Sequence, residues 1–81
     1  MTLRLQPIRV RTASDDEDGQ LVLVDEALVA VLVRLAPDHG AMAGHWYLEA
    51  GFGQVTVPIS PTFPDLDTAL AWIAQRLHAP Y

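Results

Sequence analysis

The chain has 81 residues, no cysteine and a formal net charge of −5 from ten acidic and five basic side chains. That length suits one small domain, and without thiols neither disulfides nor thiolate metal sites can staple it. All five basic residues are arginines, and the only basic group, Arg4, Arg9 and Arg11, is followed within a few residues by four acids, which argues against binding a phosphate backbone.

Leu3, Leu5, Ile8 and Val10 alternate imperfectly with Arg4, Gln6, Arg9 and Arg11, and Pro7 removes one backbone donor. This predicts an edge strand or an extended arm. Asp15-Asp16-Glu17-Asp18-Gly19 is a like-charge block that repels itself, so residues 1–19 are expected to form that arm plus a mobile, solvated acidic loop. The block lacks the spacing and the distant closing glutamate of a calcium loop.

Gln20 to Val24 predicts a strand, and Asp25-Glu26 a turn into the run from Ala27 to Leu35, which is apolar at eight of nine positions and rich in β-branched residues. Alternation sets Leu28, Ala30 and Leu32 on one sheet face and Val29, Val31, Val33 and Leu35 on the other. Both faces are apolar. This is therefore the central strand, covered by a helix on one side and by something else on the other.

Pro37-Asp38-His39-Gly40 carries turn chemistry. The segment 45–50 resumes as the next strand of a meander, with Trp46 and Leu48 facing one way and Tyr47 and Glu49 the other. Gly51-Phe52-Gly53 reads as a bulge or corner, since it lacks the third glycine and the following helix of a phosphate loop. Gln54 to Ile59 is expected to add a short strand through Val55, Val57 and Ile59 before the prolines end any ladder. Asp65 then caps a helix, with Asp67 in its first turn at the positive end of the dipole. Leu66, Leu70, Ile73 and Leu77 form its apolar stripe, widened by Ala69 and Trp72. The helix is predicted over Leu66–His78, because Pro80 disfavours helical backbone at Ala79.

These elements predict one α+β domain over 1–81: an antiparallel meander of three to five strands with a single C-terminal α-helix packed on one face. The run from Leu21 through Leu35, then His45-Trp46-Tyr47-Leu48-Glu49-Ala50-Gly51-Phe52-Gly53, then Phe63-Pro64-Asp65-Leu66-Asp67 leading into Ala71-Trp72-Ile73, resembles small uncharacterised bacterial proteins of that build. The resemblance implies the fold and carries no functional residue.

Catalysis needs a nucleophile beside a base, or paired carboxylates in a cleft. Ser14 lies by the acidic loop and Ser60 is wedged before Pro61, while His45 and Glu49 on one strand stand roughly 13 Å apart. His39, His45 and His78 have no cysteine or well-placed carboxylate to complete a tetrahedral set. No catalytic residue, metal site or cofactor is therefore expected. The longest apolar run, Ala27 to Val33, is far short of the ~20 residues of a membrane span, and a cytoplasmic protein is expected.

The sheet face opposite the helix carries Val29, Val31, Val33 and Leu35, an apolar surface that suits a homodimer or a protein partner, unless the N-terminal arm folds back over it. A non-catalytic interaction module follows as the leading expectation. The alternative is a ligand pocket, with or without enzymatic activity, formed by Trp46, Tyr47, Phe52 and Trp72.

Overall fold

A computed structural model describes residues 2–78. It is an α+β arrangement in which β1 (Leu3–Arg9), β2 (Asp18–Val24), β3 (Ala27–Arg34), β4 (Trp46–Gly51) and β5 (Thr62–Phe63) form one antiparallel sheet in sequence order, followed by α1 (Leu66–Leu77). The apolar run is the middle strand, as expected. The arm does not fold back: β1 lies in the sheet plane as an edge strand, with Pro7 opposite Gln20. Edge position leaves the missing proline N–H without a ladder bond to break.

Two residues, Asp25 and Glu26, connect β2 to β3, and both have positive φ, 51° and 66°. That is the mirror-image hairpin turn whose twist matches the strands. The sheet face under α1 supplies Val22, Ala30, Leu32 and Leu48, which close with Phe63, Ala69, Leu70 and Ile73 into the core. Val55 completes it from a short 3-10 turn over Gly53–Val55. The strand expected over 54–59 is thus absent. Pro58 and Pro61 cannot both sit in a ladder, and Gly51 instead lets this turn lie directly on the sheet: a Cβ there would meet the Val55 carbonyl carbon at 2.9 Å. The last strand is the two-residue β5.

Asp65 caps α1 by accepting the Thr68 N–H at 2.7 Å, which holds its carboxyl below the usual range. The helix ends one residue before the expected boundary, because His78 takes a left-handed backbone (φ 56°) and its N–H turns back to the carbonyls of Ala74 and Gln75. Such a residue closes a helix. The part of the expectation that invokes Ala79 and Pro80 lies outside the described residues. Arg76 stacks over the Trp72 ring at 5.4 Å and donates to the Gln54 carbonyl at 3.0 Å, tying the helix to the 53–55 turn. No helix among the described residues is long and apolar enough to cross a membrane.

Two register irregularities change which side chains share a face. Between β2 and β3, Val22 pairs with Ala30 but Leu23 with Leu28, so Val29 is the extra residue. Between β3 and β4, Val31 pairs with Ala50 but Leu32 with Leu48, so Glu49 is extra. An inserted residue shifts the parity of everything beyond it. Leu28 accordingly leaves the helix side and is 40% exposed, while Val29 packs against the core.

Candidate functional site

Away from the helix the sheet presents rows of paired side chains. One row runs Arg4, Leu23, Leu28; the next Gln6, Leu21, Val31, Ala50; the last Ile8, Gly19, Val33, Tyr47, Thr62. The middle of the last row, at Gly19 and Val33, is roofed, while Ile8 at its β1 end is 39% exposed. Residues 10–17 turn back over it, with the Val10 N–H donating to the Glu17 carbonyl at 2.7 Å. A Cβ on Gly19 would come within 2.7 Å of Val10 Cγ2, so only glycine admits this approach. Val33 beneath the roof is 1% exposed.

The hub of the roof is Asp16. Instead of being solvated with its acidic neighbours, it is 8% exposed. One carboxylate oxygen accepts the Ala36 N–H at 2.6 Å and the other the Ser14 hydroxyl at 3.1 Å. His39 Nε2 stands 2.8 and 3.0 Å from the two oxygens. Thr12 Oγ1 donates to the Asp16 carbonyl at 3.1 Å. The Ala36 N–H is the main reason the Asp16 carboxyl lies below the usual carboxylate range; burial opposes it, and His39 and Ser14 add to it. A buried carboxylate needs such donors to remain charged. The expectation of a free acidic loop is corrected at this residue.

Serine, aspartate and histidine are here together, but in the wrong order for nucleophilic catalysis. A nucleophile must give its proton to the base while the carboxylate steadies that base from behind. Ser14 donates to Asp16, and His39 also addresses Asp16, so no base faces the hydroxyl. Asp16, Asp38 and His39 bring one ligand atom each within 4.8 Å of one another, a set that could in principle ligate a cation. As folded, both Asp16 oxygens and His39 Nε2 are engaged with each other and with Ala36 and Ser14. The geometry is that of a latch: it clamps the loop to the start of the 3-10 segment Pro37–Met42.

Of the interface residues expected from alternation, Val31 and Leu35 lie on the face away from the helix and are half-buried, Leu35 within the roofed end. Val33 is sealed beneath the latch, and Val29 is half-buried and packs against the core rather than on the open face. Leu21, Leu23 and Leu28 share the open face with Val31, which the pairing register reveals and the sequence of β3 alone does not.

The four aromatic residues expected to share a pocket are dispersed. Trp46 and Trp72 pack against the core on the helix side, where the Trp72 and Phe63 rings meet at 5.5 Å between centroids. Tyr47 lines the roofed cleft on the opposite face, and Phe52 is 48% exposed at the corner after β4. Adjacent strand residues point to opposite faces, which separates Trp46 from Tyr47. His45 precedes β4 and His78 ends α1; neither joins the Asp16 group among the described residues. Comparison with known protein families, with curated proteins and with solved structures finds no match to this chain.

Proposed function

We propose that this chain is a non-catalytic association module that pairs with a second copy through the open end of the sheet face away from the helix. The observation that carries this reading is the group Leu21, Leu23, Leu28 and Val31, four aliphatic side chains on two adjacent rows outside the helix and the 10–17 loop, Leu28 40% exposed and the other three half-buried. Its border favours a second copy. Arg4 and Glu26 sit side by side at the rim, paired at 2.9 Å and both substantially exposed. Across a two-fold axis each can exchange its partner for the other copy's, so the −5 charge of the chain does not oppose contact at this edge.

Three inter-strand spacings of ~4.8 Å and about five residues at ~3.3 Å give the open part a projected area of roughly 250 Å². A stable interface buries ~800 Å² on each partner. The rim must therefore join in, and the dimer should be weak and concentration-dependent. A reducing cytoplasm suits a chain without cysteine, and that is the compartment we propose.

Light scattering after size exclusion, at two well-separated concentrations, tests the reading. The wild-type mass should rise toward that of a dimer, and Leu28→Glu should hold it at the monomer with an unchanged far-UV spectrum. A wild-type chain that is monomeric at millimolar concentration, or a dimer that survives both Leu28→Glu and Leu23→Glu, refutes it.

A further inference from the structure

The roofed end of the same face contains a cleft of about 310 Å³ between the latch loop and the sheet. Its floor is apolar, built by Leu35 and the Tyr47 ring over the sealed Val33, and its polar groups are the Asp16 and Glu49 carboxylates, the His39 imidazole that addresses Asp16, and the hydroxyls of Thr12, Ser14 and Thr62. No arginine is among the lining residues, and the chain has no lysine. The two carboxylates are not equivalent. Asp16 is engaged by Ala36, Ser14 and His39 and has its acceptor oxygens already occupied. Glu49 makes no hydrogen bond or ion pair among the described residues.

Glu49 is also the extra residue of the β3–β4 irregularity. A bulge re-aims the side chain it carries, and here that side chain borders the cleft. An unpaired carboxylate over low-dielectric walls focuses its field into the cleft and raises the local concentration of cations. Tyr47 lines the same space, where an aromatic ring favours a cation, and Leu35 adds surface for hydrocarbon.

We propose that this cleft is a binding site for an organic cation, an ammonium or guanidinium head on a short aliphatic stem, with the head at Glu49 and the stem over Leu35 and Tyr47. The site stands on a different part of the face from the proposed dimer contact and does not depend on it. The same chemistry is carried by a free amine and by an arginine or lysine side chain of a peptide.

The test is a two-dimensional amide NMR titration of the full chain with n-butylammonium, n-butylguanidinium and butan-1-ol, followed by a short peptide with one central arginine. Saturable shifts at Ser14, Tyr47, Glu49 and Thr62 with the two cations, and none with the alcohol, are expected in the millimolar range. Glu49→Gln, exposed and unpaired, should leave the rest of the spectrum in place and weaken cation binding about tenfold, a loss of ~1.4 kcal/mol. Tighter binding of the peptide than of the butyl cations would assign the site to a protein side chain, and the reverse to a free amine. Absence of saturable shifts with every cation, equal response to the alcohol, or unaltered binding by Glu49→Gln overturns the proposal.

Discussion

Replacing Asp16 by alanine should release the latch, and the size of the effect follows from what the carboxylate holds. The Ala36 N–H at 2.6 Å would lose its acceptor, and a hydrogen bond to a charged group is worth ~1.5–3 kcal/mol. Once the loop lifts, Val33, now 1% exposed, also meets water, so about 2–3 kcal/mol is a conservative total. A chain of 81 residues is stable by about 4–12 kcal/mol at the usual ~0.05–0.15 per residue. The loss is a large share of that, and at ~4–8 °C per kcal/mol it lowers Tm by roughly 10–20 °C. Asp16→Asn keeps an oxygen for Ala36 but loses the charge, and should fall about midway.

The acid side gives an independent check of the same residue. Asp16 titrates below its ordinary ~3.9 when folded, so on acidification the unfolded chain takes up the proton first. Its contribution to stability is therefore complete above about pH 5, and is lost as pH falls through 4 and on past the folded-state value. Asp65 is likewise held low by the Thr68 N–H and keeps an acid limb in both proteins. The difference between wild type and Asp16→Asn isolates Asp16: it should be largest at neutral pH and shrink toward acid. Thermal unfolding followed by circular dichroism from pH 2.5 to 7 reads both effects. If Asp16→Ala stays within ~0.5 kcal/mol of the parent at pH 7, below the value of even one lost charged hydrogen bond, the latch does not exist as described.

Glu26→Gly should raise stability slightly, because a left-handed residue with a Cβ costs ~1–2 kcal/mol and the exposed Arg4 pair it gives up is worth at most ~1; a fall in Tm would show that the turn is not of the mirror-image type. Gly51→Ala should cost about 1–3 kcal/mol in a denaturant melt, since its methyl would enter the space of the Val55 carbonyl beneath the 53–55 turn. An unchanged midpoint would mean that the turn is not seated on β4. Val33→Glu should unfold the chain and not merely separate a dimer, because the charge would be buried without a partner; a folded monomer, read by its tryptophan emission and scattering mass, would refute the placement of Val33.

What could be read from the sequence was what local spacing controls. The Ala27 run, the Asp25-Glu26 turn, the edge character that Pro7 imposes and the Leu66, Leu70, Ile73 stripe each signal through residues close along the chain, and each stands where it was expected. The elements that departed from expectation depend on partners far along the chain. Asp16 looks like one of four interchangeable acids until the Ala36 N–H, twenty residues on, is placed beside it. Val29 leaves the face that alternation gives it, and Glu49 loses its ladder partner, because the pairing slips against neighbouring strands, and nothing within Ala27–Arg34 or Trp46–Gly51 alone announces a slip.

Both surfaces proposed to act on other molecules are made by those same departures. Strict alternation would have kept Leu28 under the helix and Val29 on the open face; the slip after Val22 reverses them and puts the larger side chain where a second copy can reach it. The slip after Val31 leaves Glu49 without a ladder partner beside a cleft that exists only because Asp16 pins a loop above Val33. The open group and the cleft are thus shaped by two irregularities of pairing and one buried carboxylate, and bulges and buried charges of this kind tend to mark the places where a fold does its work.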